Sequence, residues 1–476
     1  MGKGQVTISH ALTAAACVLP LLLAPLLMSG TPPRIVLALS ALAAPIALWI
    51  AVKRPMLFPF AAYVFLIPFD NLLGLSTFGT LTRILGLFAG LAFAWWMIRH
   101  RSVVKPPSSL MLWLALIAWA GVTLLWTSDV ANGLRMLGTL AQIVMLYAVV
   151  SMMPVGGRDV RTLLVAIIGG GVAASVFGLY LFHHQDPAQW ELQRELGRLQ
   201  IQLGENAIDV NHFANALLLP IAALLVIALN ERHLLRKLFY GGLLATMIAA
   251  VYVSASREAL VGIGVMLVYL VVVSRKRLQL IIAAVIGGIL SILNPAVWQR
   301  FAEASTTGGA GRTSIWAVGL EALKHYWLLG SGAGSFTNAY DEAYIAVFQH
   351  NPAGWTRNAH NVLIGTSVEL GVIGLLLLVA GWVAQYRLLR FVERGSRLDQ
   401  MRTIAIAALT GLTICAFFID LSTYKYVWLV FMLIAQARAL AVLQPELALA
   451  QPQSAATKEF SIHDYLWRPS RPSHAR

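Results

Sequence analysis

The chain has 476 residues, of which 58% are hydrophobic and only 12% are charged, and its mean hydropathy is +0.73. A water-soluble domain cannot hide this much apolar surface, whereas a set of apolar segments that cross roughly 30 Å of hydrocarbon can. The formal net charge of +14 does not indicate nucleic-acid binding, because the lysines and arginines stand in short clusters between apolar runs. The composition therefore excludes a soluble enzyme and predicts an all-α, polytopic transmembrane helix bundle with no nucleic-acid partner.

Apolar runs of spanning length extend over almost the whole chain. The first run is too long for the core of a signal peptide, so we expect it to be retained as a span. Because some runs are short, we predict about 12–14 spans. The runs lie at 11–29, 35–52, 56–75, 84–98, 110–126, 136–153, 162–182, 212–229, 238–255, 259–274, 278–293, 362–384, 403–419 and 426–444.

The basic clusters between the spans predict the orientation in the membrane. Clusters such as Lys53-Arg54 and Arg275-Lys276-Arg277 all fall on the cytoplasmic side if the N-terminus is cytoplasmic. An even number of spans then returns the C-terminus to the cytoplasm. The predicted regions are N-terminal spans, a first periplasmic loop, central spans, a large periplasmic loop, C-terminal spans and a disordered cytoplasmic tail, at 1–182, 183–211, 212–293, 294–361, 362–450 and 451–476.

Both periplasmic loops contain a predicted helix. In the first loop, apolar residues recur at helical spacing with charges between them, which predicts an amphipathic helix that lies on the bilayer or covers a cavity. These apolar residues are Trp190, Leu192, Leu196, Leu199 and Leu203. In the large loop, a helix is predicted from about Thr313 to Leu328, between glycine-rich turns at 308–311 and 330–334.

Two arginines stand at the predicted periplasmic face, which positive charge normally avoids. Arg257 lies in a hairpin between two spans, where it either has a function or pairs with Glu258 or with a lipid phosphate. Arg312 follows the glycine-rich turn, just before a helix whose N-cap we predict to be Thr313 or Ser314. Backbone N–H groups at a helix start and an arginine beside them form a good seat for an anion.

His360 precedes the span at 362–384, on the same predicted face as the two arginines. A histidine at this depth can take a proton from a hydroxyl near neutral pH, although an interfacial histidine can also be held by a neighbouring carbonyl. Together, two cations and one neutral base are what a site needs to hold a pyrophosphate leaving group and to activate an acceptor hydroxyl.

Other polar residues have less distinctive surroundings. Asn211 and His212, after Asp209, either line the same cavity or form an ordinary helix start. Each of three acidic residues near apolar runs is expected to pair inside the bundle, although a transporter would also use such residues; they are Asp70, Glu369 and Asp420. No periplasmic loop holds a close pair of carboxylates, so we expect neither a metal ion nor another cofactor.

Several of these motifs occur in an order that is similar to one protein family. The motifs are Ser256-Arg257, Gly311-Arg312 with Trp316, the glycine-rich stretch 330–336, Ala359-His360-Asn361, and Glu369-Leu370-Gly371. They resemble the bacterial O-antigen ligase and polymerase superfamily over roughly residues 205–380, and earlier residues match only as a series of spans. The resemblance implies a GT-C-like glycosyltransferase with a large helical periplasmic loop. It also implies that Arg257, Arg312 and His360 are essential, with Asn211, His212, Asn361 and Trp316 as further site candidates.

The resemblance implies a reaction at the periplasmic face of the bacterial inner membrane. A glycan moves from an undecaprenyl diphosphate carrier to an acceptor, with inversion and without a metal, among membrane lipids. One dominant periplasmic loop favours a ligase that uses lipid A–core as its acceptor. An O-antigen polymerase and a protein O-oligosaccharyltransferase stay open, as does, from another class, a transporter of lipid-linked sugar. The donor sugar, the acceptor position and the oligomeric state are left undetermined.

Overall fold

The computed structural model describes residues 46–75, 79–185, 198–203, 206–293, 311–348 and 357–449. Within these ranges the chain is helical apart from connecting turns and two short β-hairpins. Several predictions lie outside the described residues: the first span at 11–29, most of the amphipathic helix in the first loop, the glycines at 308–309 and the tail 451–476.

The described helices follow the apolar runs of the sequence. Eight of them are long and apolar enough to cross a membrane, and α4 and α10 are shorter apolar helices. This result confirms an all-α polytopic membrane protein. The helices are α1 (46–53), α2 (Met56–Leu73), α3 (Leu81–His100), α4 (Ser108–Thr123), α5 (Val130–Met152), α6 (Gly157–His184), α7 (Val210–Asn230), α8 (Leu234–Ser254), α9 (Arg257–Val273), α10 (Arg277–Leu293), α11 (Arg312–Tyr326), α12 (Phe336–Val347), α13 (Val362–Leu388), α14 (Asp399–Cys415), α15 (Lys425–Leu443) and α16 (Pro445–Ala448).

Helix α15 forms the centre of the bundle and is buried along almost its whole length. Its Trp428 and Phe431 pack on Trp113 of α4, with ring centroids 5.0 and 5.4 Å apart. Elsewhere small residues bring helices together: a Cβ added at Gly262 of α9 would lie 2.8 Å from Cys415 Sγ of α14. Close packing of small residues is how helices associate in lipid, where the hydrophobic effect does not drive helices together.

The turns between helices gather at two opposite faces. At the first, antiparallel hairpins β1–β2 (Gly74–Leu75 with Gly79–Thr80) and β3–β4 (Ile201–Leu203 with Asn206–Ile208) are joined by a bond from Asn206 Nδ2 to Gly74 O. At the second, Arg438 donates to the carbonyl of Lys105, and Glu393 N donates to Ala448 O. We call the first the site face and the second, which carries the basic clusters of the sequence, the basic face.

Helix α13 is broken near the site face by Gly371, whose φ is +64°. The glycine-rich turn after α11 fills the break: Ser331 N donates to Val368 O, and Gly332 N donates to Glu369 O. A Cβ at Gly330 would lie 2.2 Å from Glu369 O, so only glycine fits this approach. The turn thus satisfies carbonyls that the break in α13 leaves without intrahelical partners.

Two local predictions were wrong. Leu199 and Leu203 do not lie on the predicted amphipathic helix, because Leu199 N bonds to Val253 O and residues 201–203 form β3. Ile201 is buried and Gln202 is exposed, and such alternation from one residue to the next is typical of a strand. The helix of the large loop starts at Arg312 instead of after Thr313 or Ser314, because Gly311, at φ +79°, takes the position before its first turn.

Candidate functional site

The α8–α9 hairpin brings Arg257 to the site face. Helix α8 ends at Ala255, which adopts left-handed φ of 49°, and α9 begins at Arg257 after Ser256. Arg257 is half-buried at the first position of the helix, and Glu258 follows it in the first turn, almost completely buried. The backbone carbonyl of Glu258 accepts a hydrogen bond from Cys415 Sγ, which fixes this turn against the end of α14.

Arg312 occupies the first position of α11 in the large loop, and Glu258 is its partner. Nη1 and Nη2 of Arg312 both lie 3.1 Å from Oε2 of Glu258, which joins the loop to the bundle across 54 residues of sequence. Glu258, which the sequence suggested as a possible partner of Arg257, thus forms an ion pair with Arg312. The other carboxylate oxygen, Oε1, is buried and has no hydrogen-bond partner among the described residues.

A small apolar core positions Arg312 and His360 relative to each other. Apolar residues of α11 and α12 pack with Ala359 and Val368 of the α13 region; they are Ile315, Val318, Ala322, Phe336, Ala339, Tyr340 and Ala343. Because Ala359 is buried in this core, the next residue, His360, is held at the edge of the loop with a left-handed φ of 44°.

Asn361 fixes the other side of His360. Its side-chain oxygen accepts from the N–H groups of Leu363 and Ile364 at 2.9 and 3.1 Å, so Asn361 caps α13, and its Nδ2 donates to Phe417 O. Asn361 thus fixes the backbone that follows His360 at the start of α13.

Burial and the neighbouring charge of Arg312 lower the pKa of His360, and Arg357 acts in the same direction. Asp209 and Asp420 oppose this shift but do not cancel it. The imidazole therefore stays neutral at physiological pH, which is the state that a general base requires.

Asp209 and His212 stand at the start of α7, within the electrostatic surroundings of His360. Asp209 accepts from the backbone N–H groups of Asn211 and His212, so it is a helix cap and also a neighbour of the site. The His212 ring stacks on Tyr424 with centroids 3.6 Å apart, and its Nδ1 lies 2.9 Å from the Tyr426 hydroxyl. His212 is thereby anchored on the central helix α15.

Asn211 and Trp316 flank this cluster. Asn211 Oδ1 accepts from Nη2 of Arg198 at 2.8 Å, and the same buried arginine donates through Nε to Ser254 O. Trp316 lies one helical turn after Arg312, with its ring 6.3 Å from that of Phe418. Its indole Nε1 is buried and, like Ser256 Oγ, has no hydrogen-bond partner among the described residues.

The structure therefore brings Arg312, His360 and His212 together at one face, beside the helix turn that begins with Arg257. Sequence reasoning named Glu258 only as a possible partner of Arg257 and did not place Arg198 at the site, because their observed partners, Arg312 and Asn211, are not local neighbours in the chain. Within the described ranges, no three His, Cys, Asp or Glu side chains lie close enough to hold a metal ion, and metal independence stays a prediction.

Comparison with known protein families gives a match over the part of the chain that contains several of these residues. Residues 242–379 match the family described as O-Antigen ligase, a range that runs from α8 into α13 and contains Arg257, Glu258, Arg312 and His360. No curated protein matches the chain. The match confirms the resemblance indicated by the motifs and gives the chain a ligase- or polymerase-type function. This multi-pass helical membrane protein thus carries, at residues 242–379, a region that matches the O-antigen ligase family.

Proposed function

We propose that this protein transfers an O-antigen glycan from undecaprenyl diphosphate to lipid A–core at the periplasmic face of the inner membrane. The site face would be periplasmic, and both termini cytoplasmic, because the basic clusters lie at the opposite face. The observation that carries the proposal is the meeting of Arg312 and His360 beside the first turn of α9.

The two arginines are suited to the diphosphate of the donor. Arg257 and Arg312 each occupy the first position of a helix, where unpaired backbone N–H groups and the helix dipole favour an anion. A diphosphate accumulates negative charge as the bond to the sugar breaks. Two cations at two helix starts therefore stabilise the transition state more than the ground state, which is the requirement for catalysis.

His360 is suited to act as the base. The acceptor hydroxyl of lipid A–core attacks the anomeric carbon from the side opposite the diphosphate, and its proton passes to the neutral imidazole. The bond between the anomeric carbon and the diphosphate oxygen breaks, and undecaprenyl diphosphate leaves with that electron pair. The new glycosidic bond has inverted configuration, and no electron acceptor or metal ion enters the balance.

The test uses purified full-length protein with undecaprenyl-diphosphate glycan, lipid A–core and a chelator. We expect product to form at an undiminished rate with the chelator, and His360→Ala to abolish it while the protein stays in the membrane. His325→Ala, which changes an exposed histidine of α11, is the matched control and should keep wild-type activity. Product at wild-type levels from His360→Ala would remove His360 from the mechanism.

The same assay distinguishes the other functions. A second lipid-linked glycan offered as the acceptor would give longer chains if the protein were a polymerase, and a hydroxyl-bearing peptide would be modified by a protein glycosyltransferase. Movement of labelled lipid-linked sugar across vesicles without any acceptor would indicate a transporter. We expect product only with lipid A–core.

A further inference from the structure

Glu258 has unusual surroundings for a carboxylate. Its side chain is only 2% exposed, and within the described ranges Oε2 accepts from Arg312 while Oε1 has no hydrogen-bond partner. A buried ion pair with an unsatisfied oxygen is a poor way to gain stability, because desolvation opposes the Coulombic attraction. The arrangement calls for a role other than stability alone.

The contact geometry suggests that role. Oε2 is equidistant, at 3.1 Å, from Nη1 and Nη2 of Arg312, so the carboxylate holds the end of the guanidinium group. The side edge of that group, formed by Nε–H and one Nη–H, is left with no partner among the described residues. Two parallel N–H groups on such an edge match two oxygens of a phosphate group.

Glu258 also connects the two arginines of the site. It follows Arg257 directly in the first turn of α9, and it binds Arg312 at the first turn of α11. Two guanidinium groups that approach one ligand repel each other unless an anion stands between them. A carboxylate fixed to the backbone beside Arg257 supplies that anion.

We propose that Glu258 is a positioning residue, which holds Arg312 of the large loop against the start of α9 so that Arg257 and Arg312 form one diphosphate seat. The carboxylate does not touch the donor; it acts through the orientation of Arg312. This inference rests on the proposed function, since it assumes that the ligand of the two arginines is the diphosphate of the lipid-linked donor.

A double-mutant cycle tests the proposal on the full-length protein, with undecaprenyl-diphosphate glycan varied and lipid A–core held constant. We expect Glu258→Gln to raise the KM for the donor about tenfold to a hundredfold, the range for losing a hydrogen bond to a charged group, with a smaller change in kcat. In an Arg312→Gln background the same substitution should have no further effect on KM, because the residue it positions is gone.

Each outcome bears on a different claim. A KM for Glu258→Gln that equals the wild-type value, or an equal rise in both backgrounds, overturns the positioning role. A wild-type KM for Arg312→Gln instead overturns the diphosphate seat and, with it, the proposed function. Glu321→Gln, a change at a surface carboxylate of α11 that pairs with Lys324, is the matched control and should leave KM unchanged.

A second variant covers the case in which Glu258→Gln does not accumulate in the membrane. Glu258→Asp keeps the charge but shortens its reach by one methylene group, so we expect Arg312 to be held less well and the KM for the donor to rise severalfold. An unchanged KM in Glu258→Asp would contradict the positioning role as directly as an unchanged KM in the glutamine variant.

Discussion

Two carboxylate–cation pairs at the site face join segments that are far apart in sequence, and they differ in how completely their polar atoms are bonded. Both oxygens of Asp70 lie 2.7 Å from Lys425 Nζ, which also donates to Thr80 and Thr82, while Thr82 bonds to Asp70. Glu258 binds Arg312 through one oxygen and leaves the other without a partner among the described residues.

We interpret the Asp70–Lys425 pair as a structural pair and, on the proposed function, the Glu258–Arg312 pair as a ligand-binding pair. A network in which each group is satisfied rigidifies the fold and offers nothing to a ligand, and the Asp70 network does this between α2, α3 and α15. A buried group left unsatisfied costs free energy, so its presence requires an explanation, which for Glu258 is the positioning role proposed above. The prediction that Asp70 pairs inside the bundle is confirmed by its contact with Lys425.

The largest effect is expected at the ligand-binding pair. Arg312→Gln should lower kcat/KM for glycan transfer about a hundredfold to a thousandfold, the range for losing one donor to the charge of a transition state. Because this substitution also leaves the buried carboxylate of Glu258 without its cation, its unfolding midpoint should fall as well, so the loss of activity is what identifies this pair. Glycan transfer and thermal unfolding of the purified protein measure the two quantities, and a loss of stability without a loss of activity would reverse the assignment.

The structural pair should lose stability without losing activity. Lys425→Met leaves a partly buried carboxylate, Asp70, without its cation, so we expect a loss of about 2–3 kcal/mol of stability, seen as a lower unfolding midpoint. At temperatures below that midpoint, kcat/KM should stay within about twofold of the wild-type value, because we do not expect Lys425 to affect the activation free energy. A tenfold change would require a difference of about 1.4 kcal/mol in that quantity. A large rise in the KM for the donor would place Lys425 in the site.

His212 shares features with both pairs. It is an electrostatic neighbour of His360, as Arg312 is, but its ring is anchored on α15, the helix that carries Lys425. Tyr426→Phe removes the hydroxyl that bonds to Nδ1 of His212, so kcat/KM should fall about twofold to tenfold, as for one neutral hydrogen bond. Tyr326→Phe, which removes a hydroxyl bonded to Glu342 on the loop surface, is the matched control. Equal kinetics in the two variants would exclude His212 from the site.

Much of the fold and part of the site could be predicted from the sequence. Spans are predictable because each backbone polar group in lipid must be bonded within its own helix, so a long apolar run has one solution. The common face of Arg257, Arg312 and His360 follows from counting spans between them. The break at Gly371 is different, because nothing local requires it: it depends on a turn near Ser331 that supplies the missing donors from 37 residues away.

The partners of charged residues could not be predicted in the same way. The pairing of Arg257 with Glu258 was one of the alternatives that the sequence left open, and the structure shows that Glu258 binds Arg312 of the large loop. Leu199 and Leu203 illustrate a second limit, since their spacing fits a helix but pairing with residues 206–208 imposes a strand. Both cases have one cause, which is that tertiary contacts choose between local patterns of similar merit.

The smallest predicted effect concerns the charges around His360 rather than the diphosphate seat. Because the imidazole must be neutral to act as a base, activity is lost as the pH falls through its pKa, which burial and Arg312 hold below the ordinary value. Asp209 raises that pKa and Arg357 lowers it. Asp209→Asn, which keeps a residue able to cap α7, should therefore move the acid limb of kcat/KM to lower pH, and Arg357→Gln should move it to higher pH.

The profiles should be recorded at low ionic strength, since Arg357 is exposed and salt screens its charge. Added salt should shrink the shift of Arg357→Gln more than that of Asp209→Asn, which acts on the histidine from the start of α7 inside the cluster. Shifts in the same direction for both variants, or none in either, would mean that the acid limb reports another group, and His360 would lose its place as the base.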